Sequence, residues 1–264
     1  MTTTLHTRTL NAPTIIGLAG IAGSGKDTVA DLLRTHARFS KCAFADALRF
    51  EVCEAFGIEP LLLTYRPTKE EPHPALALVK CTDNGFAGKL LRSDAYRLFD
   101  GSVAEFLDAP RSPRQIMQWW GTEYRRGAHE GYWTGHVVDN VSYQCKNHNP
   151  RHVITDVRFE NEAQAVRNMG GVIWQVKRPD LKAGTTHPNA HVSESDGSQF
   201  KPDAIINNMH DIRHLQSVVM GAWLMLETGM SAQEVFNMGM AHTDLASQQW
   251  GVYNKCLERD LNRY

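Results

Sequence analysis

The chain has 264 residues, 42% of them hydrophobic, enough for one sizeable core or a core with an inserted lid. A formal net charge of −1 with 22% charged residues leaves no global basic excess, so composition supplies no argument for a nucleic-acid partner. No stretch approaches the ~20 apolar residues of a membrane span, and five cysteines without a CxxC pair disfavour a disulfide framework or a structural zinc site.

The first residues, MTTTLHTRTLNAPT, are polar and lack a signal-peptide core, so a cytoplasmic protein with a flexible arm over 1–13 is expected. Thr14 to Ala19 (TIIGLA) suits a buried parallel strand. A glycine-rich turn, Gly20 to Gly25, leads into a helix over Asp27 to Phe39. Lys41 to Ala45 reads as a second strand with Asp46 at its carboxyl end, and Ala47 to Phe56 as a helix. This alternation argues for a doubly wound α/β sheet. Residues 57–112, rich in proline, read as loops and short helices inserted into the core to bind an acceptor. Helices are expected over Arg114 to Arg126, after a Ser-Pro signal, and over Trp133 to Tyr143. Strands His152 to Thr155, Val172 to Val176 and Ala204 to Ile206 follow. Helices over Asn161 to Met169 and Asp211 to Leu226 separate and close them. Residues 180–202 read as a polar loop, and the segment from Gly229 as a helical extension.

The run Gly20-Ile-Ala-Gly23-Ser24-Gly25-Lys26-Asp27-Thr28 follows a strand and opens a helix, the context a phosphate loop requires. Its glycines let successive N–H groups point inward, and the helix N-terminus adds positive partial charge where phosphate oxygens would sit. Lys26 would offset charge on the β- and γ-phosphates. The residue after the lysine is normally Ser or Thr; here it is Asp27, able to hold Mg²⁺ or act on the acceptor, with Thr28 next. The structural alternative is a glycine turn that merely caps a helix.

Asp156, at a strand end, suits a Mg²⁺ contact beside the loop, and Arg158 could bind phosphate bidentately. Alternatively, Asp156 caps a helix and Arg158 lies on the surface. Arg111, Arg114, Arg125 and Arg126 form a basic cluster that could hold anionic substrates or simply line a solvated helix face. Trp119, Trp120 and Trp133 could stack on a base, although core packing is the commoner fate of tryptophan. Asp46 offers an acceptor contact or a helix cap. His187 and His191 lack metal-ligand spacing and read as substrate or structural residues.

Taken together, SGKDTVAD (24–31), FADALR (44–49), PRQIMQWWGTE (113–123), Tyr132-Trp133, ITDVRFENEAQAVRNMGG (154–171), VKRP (176–179), HVSE (191–194) and DAIINN (203–208) resemble the phage deoxynucleoside monophosphate kinases. The similarity runs from about Gly17 to Leu215, and Gly-Lys-Asp-Thr is that family's own form of the loop. The resemblance implies a P-loop three-layer α/β/α fold with a central parallel sheet, adenylate-kinase-like. Its kinase domain would span 14–228, with an acceptor or lid insertion near 57–112 whose closure excludes water.

It implies ATP and Mg²⁺, with Gly23, Ser24, Gly25, Lys26, Asp27, Thr28 and Arg178 toward the donor and Asp27, Thr28 and Asp156 toward the metal. Asp46, Arg66, Lys69, Arg114, Gln118, Gly121, Thr122, Trp133, Asp156, Arg158 and Glu162 fall on the acceptor side, with Lys26, Asp27 and Arg158 as the catalytic set. Small nucleotides are the expected partners; a homodimer is suggested by the resemblance alone, and neither membrane nor nucleic acid is expected. Three rivals share the loop: a kinase acting on a modified base in DNA, a dephospho-coenzyme A kinase, and a nucleotide-dependent switch without an acceptor.

Overall fold

In the computed structural model, which describes residues 14–179 and 200–230, five parallel strands form one sheet. They are β1 (Thr14–Ala19), β2 (Ser40–Cys42), β3 (Arg151–Ile154), β4 (Val172–Lys177) and β5 (Ala204–Asn207), in the spatial order β2-β3-β1-β4-β5. Every residue of β1 is buried, as its unbroken apolar run requires of a central strand covered on both faces. Its register pairs Gly17 with Ile154 of β3 on one side and Ile173 of β4 on the other. This is the α/β sheet of a P-loop kinase, as the resemblance implied.

The chain divides into two compact units. One is built from the residues before Phe44 and after Val137 and contains the sheet; the other is Phe44–Val137. In the sheet unit, Ile16 and Leu18 of β1 join a core with Val29, Leu33, Val218 and Val219 from α1 (Lys26–Ala37) and the long helix that ends the described chain. Gly17 faces the opposite way. A Cβ there would come within 2.9 Å of Val157 and 3.3 Å of Val166, so glycine lets the helix over Glu160–Asn168 pack close.

The Phe44–Val137 unit is built mostly from short elements, as the proline-rich stretch foreshadowed. It contains α2 (Phe44–Phe56), α3 (Pro60–Thr64), a 3₁₀ turn at Arg66–Thr68, α4 (Asn84–Leu90), α5 (Asp94–Arg97), α6 (Val103–Asp108) and α7 (Pro113–Gln118). From Trp119 to Arg126 the helix continues in π geometry rather than ending or staying α. The remaining helices are α8 (Tyr132–Asn147), α9 (Glu160–Asn168) and α10 (Ile212–Thr228). Asp211 caps α10, its carboxylate accepting the His214 N–H at 2.9 Å, and Gly229 closes it at φ 70°.

Several boundaries differ from expectation. The second strand stops at Cys42, and α2 begins at Phe44, so Asp46 lies in the first helical turn rather than at a strand end. A carboxylate there is favoured by the helix dipole. The first helix ends at Ala37 because Arg38 turns left-handed at φ 59°, its N–H bonded to the Leu33 carbonyl. The tail from Ser231, the loop carrying His187 and His191, and the first thirteen residues lie outside the described residues. No helix among the described residues is long and apolar enough to cross a membrane.

His152, buried in β3, adds a pH dependence to the sheet. Burial holds its imidazole below the ordinary value, partly offset by the Asn149 carbonyl 2.8 Å from Nε2. The folded chain keeps the ring neutral while the unfolded chain takes up a proton near pH ~6.5. Its contribution is therefore complete above that value and declines as pH falls toward the folded-state pKa. His152→Gln should flatten the fall in stability between pH 7.5 and 5.5, by at most about 1.4 kcal/mol per pH unit. Urea unfolding at both pH values tests this; parallel losses in the two proteins would contradict it.

Candidate active site

In the sheet unit, β1 ends at Ala19 and the chain curls through Gly20, Gly23 and Gly25 at φ 141°, 81° and 103°. Gly20 lies tight against β4, since a Cβ there would be 2.4 Å from the Val176 carbonyl oxygen. Gly25 stands at the N-terminus of α1 with space for no side chain, a Cβ meeting Asn208 Nδ2 at 2.5 Å. Ser24 is fully buried and its hydroxyl has no hydrogen-bond partner among the described residues. Lys26 Nζ folds over the loop and donates to the Gly20 and Ile21 carbonyls at 2.7 and 2.9 Å. A curled backbone at a helix N-terminus, with an ammonium folded over it, has the form of an anion cradle.

Two further elements lead to this cradle. Beyond β3, the Thr155 N–H donates to the Cys42 carbonyl at 3.0 Å and the Val157 N–H to the Leu18 carbonyl at 3.1 Å. Asp156 is therefore held between the carboxyl ends of β1 and β2, where the sheet topology places ligands. Arg158 follows on a turn fixed by Glu162, whose carboxylate accepts the Arg158 and Phe159 N–H groups at 2.8 and 3.1 Å. Glu162 is only 2% exposed, so its visible work is to shape the Arg158 turn and cap α9. Arg178 is exposed just past β4, two residues after the carbonyl that abuts Gly20.

Asp27, exposed in the first turn of α1, pairs with Lys41 at 3.3 Å, and Lys41 also reaches Asp31 at 3.6 Å. Lys41 is thus a cation near the metal candidates that no sequence motif marked. Asn208 is another residue without a motif role of its own. Its N–H bonds the Lys177 carbonyl at 2.7 Å, and its side-chain amide donates to the Ser24 carbonyl at 3.0 Å. It ties the end of β5 to the loop; the only sequence hint was its place at the end of DAIINN. Asn208→Ala should weaken binding of a non-hydrolysable ATP analogue roughly fivefold to tenfold, the worth of one such bond. Titration calorimetry would show it, and unchanged affinity would remove Asn208 from the site.

The Phe44–Val137 unit holds most of the acceptor-side candidates, whereas Asp156, Arg158 and Glu162 lie in the sheet unit. Arg66 begins its 3₁₀ turn, and Lys69 follows with its carbonyl accepting the Arg114 N–H at 3.0 Å. The Arg114 guanidinium pairs with Glu70. His73 and Arg111 bridge the same two segments, so the stretch through Lys69 is zipped to the start of α7. Ser112 caps that helix, its Oγ accepting the Gln115 N–H at 3.2 Å, with Pro113 at the first helical position. Gln118 ends α7, and Gly121 and Thr122 lie in the π segment. Gly121 packs against Leu48 of α2, where a Cβ would meet Cδ2 at 2.9 Å. Asp46 is exposed and accepts from Arg49 at 2.6 Å.

The members of the basic cluster take different roles. Arg111 is 7% exposed, donates to the Phe106 carbonyl at 2.8 Å and stacks on Phe106, Trp119 and Phe99. Burial lowers its pKa, and aromatic faces rather than a phosphate receive its charge. Arg125 is committed to Glu51 at 2.7 Å. The tryptophans largely take the core role: Trp120 is 1% and Trp133 3% exposed, with the Trp133 N–H on the Gly121 carbonyl at 3.0 Å. Beside half-buried Trp119 opens a cavity of about 790 Å³, lined by Lys89, Arg92, Gln115, Thr122 and Glu123 among others. That is within the roughly 300–1,000 Å³ of small-molecule sites. No cluster of His, Cys, Asp and Glu suited to a metal occurs among the described residues.

Residues 95–219 match the family described as deoxynucleotide monophosphate kinase. The match begins well after the glycine loop, so it is independent of the most widespread motif in the chain. Over that stretch, just under half of its length, the chain is similar to the deoxynucleotide monophosphate kinases. A protein of Acanthamoeba polyphaga mimivirus, named as a candidate deoxynucleotide monophosphate kinase, is 27% identical over 184 residues, which is 66% of this chain and 79% of that protein. A deoxynucleotide monophosphate kinase is a phosphotransferase.

Proposed function

We propose that the chain transfers the γ-phosphate of ATP, with Mg²⁺, to a deoxynucleoside 5′-monophosphate, yielding the diphosphate for DNA precursor synthesis. The observation that carries this reading is the glycine cradle beside Asp156, in a chain whose residues 95–219 match the deoxynucleotide monophosphate kinase family. An acceptor phosphate oxygen attacks the γ-phosphorus in line. The bond from γ-phosphorus to the β–γ bridging oxygen breaks, and its electron pair leaves on ADP. The acceptor is already anionic, so no general base is needed. Lys26 and Arg158 offset charge on the transferred group.

The oxygen donors of Asp27, Thr28 and Asp156 fit a hard cation, and Mg²⁺ bound there would neutralise donor phosphate charge. Asp27 must exchange its pairing with Lys41 for such a role, which makes Lys41 a local competitor of the metal. Gly23 and Gly25 contribute backbone N–H groups, Ser24 joins them once its N–H leaves the Ile21 carbonyl 3.2 Å away, and Arg178 approaches the donor from β4. Arg66, Lys69 and Arg114 supply positive charge for the acceptor phosphate. The cavity beside Trp119 and Thr122 offers room for a nucleoside.

The test is ADP release with Mg-ATP against deoxynucleoside and ribonucleoside monophosphates, dephospho-coenzyme A and duplex DNA. Turnover on at least one deoxynucleoside monophosphate is expected. Silence on all of them, or transfer to dephospho-coenzyme A or DNA alone, would replace this reading with one of its rivals.

A further inference from the structure

The π-helical segment Trp119–Arg126 requires a mechanical explanation. Eight residues in this wider helix are unusual, because π geometry packs the backbone less well and survives mainly as single turns, frequently at functional sites. Something outside the segment must hold it open. The side chains around it identify the support. Glu51, on α2, is mostly buried with 18% of its side chain exposed. Its Oε2 accepts the Trp120 indole N–H at 2.8 Å and the Arg125 Nε–H at 2.7 Å, and its Oε1 accepts the Tyr132 hydroxyl at 2.6 Å. One carboxylate thus gathers a donor from near each end of the π segment and a third from the first residue of α8.

The same cluster is braced from the other side. Asp83 accepts the Tyr124 hydroxyl at 2.9 Å, takes the Phe86 N–H at 3.1 Å, and lies 3.7 Å from Arg125. The Arg125 guanidinium stacks over Trp120, Tyr124 and Tyr132. Trp133 closes the assembly through its bond to the Gly121 carbonyl. The segment so clamped contains Gly121 and Thr122 and directly follows Gln118.

We propose that Glu51 is a positioning residue for the acceptor nucleotide, holding the Trp119–Arg126 π segment in the geometry that presents Gln118 and Thr122 to it. The inference rests on the acceptor reading given above. Glu51 touches neither substrate in this scheme; it acts through Trp120, Arg125 and Tyr132. Three charge-assisted or phenolic bonds on one carboxylate leave it little freedom, so losing it should relax the segment rather than a distant element.

The experiment compares wild type, Glu51→Gln and Tyr132→Phe for KM and kcat toward both substrates, with the folded fraction measured by circular dichroism. Glu51→Gln turns one acceptor oxygen into an NH₂ that faces donors, while Tyr132→Phe removes a single bond and should fold in any case. The acceptor KM should rise on the order of ten- to a hundredfold in Glu51→Gln, as expected for a misplaced binding segment, and less in Tyr132→Phe. The KM for ATP should stay within about twofold, because the phosphate loop belongs to the other compact unit. A fall in kcat matching the folded fraction, with the acceptor KM unchanged in both variants, would overturn the inference and leave Glu51 a stabilising residue only. A wild type without turnover on any deoxynucleoside monophosphate would overturn the acceptor reading itself, and this inference with it.

Discussion

Lys26→Ala is expected to reduce kcat on a deoxynucleoside monophosphate by about a thousandfold, close to 4 kcal/mol of lost transition-state stabilisation. The argument rests on charge. In-line transfer spreads negative charge over the γ-phosphoryl oxygens, and the Lys26 ammonium, held at the loop by the Gly20 and Ile21 carbonyls, is a fixed cation at the cradle. Alanine removes that charge and leaves the glycine backbone in place. The nucleotide should therefore still bind, with a loss in affinity far smaller than the loss in kcat. Stability should change little, since the lysine is only partly buried and the two carbonyls it leaves can turn to water. Steady-state kinetics and calorimetric titration of the same preparation separate these effects. A variant that retains more than a tenth of wild-type kcat would remove Lys26 from the catalytic set.

Much of the sheet unit was legible because its signals are local. TIIGLA, the glycine run and the later short apolar strands each declare their structure within a few residues, and the parallel order follows from the alternation with helices. Boundaries failed where local signals competed. Lys41 to Ala45 has strand-like composition, yet Phe44 is buried as the first residue of α2, so packing overrode propensity.

The Phe44–Val137 unit was less legible for a different reason. A π segment has no residue signature, and WWGTEYRR reads as an ordinary helix until its supports at Glu51 and Asp83, 69 and 41 residues before their partners, are known. Arg111 misled because a buried guanidinium among Phe99, Phe106 and Trp119 has the same letter as a phosphate ligand. Asn208 and Lys41 were invisible because their roles arise from strand order, which brings β5 and β2 to the loop and to α1 through long-range pairing.

The loop's dependence on its shape leads to the second large effect. Gly20→Ala should cost about 3 kcal/mol and lower ATP affinity at least on the order of a hundredfold, whereas the same change at Gly57 should cost only about 1 kcal/mol. Both glycines have positive φ, 141° at Gly20 and 62° at Gly57, so backbone conformation alone would penalise each. Their surroundings differ. A methyl group at Gly57 has nothing within 4 Å, but at Gly20 it meets the Val176 carbonyl oxygen at 2.4 Å and Ser24 Oγ at 2.9 Å. Val176 lies in β4, hydrogen-bonded in the sheet, and cannot retreat without breaking strand register; Ser24 is buried in the loop itself. The methyl group can be accommodated only by moving the loop away from β4, which misdirects the N–H groups proposed to cradle phosphate. Urea unfolding together with titration of an ATP analogue reads both consequences. Equal losses of stability at the two positions would show that strain in φ, not contact with β4, sets the cost. Full nucleotide affinity in Gly20→Ala would show that the cradle does not depend on this close approach.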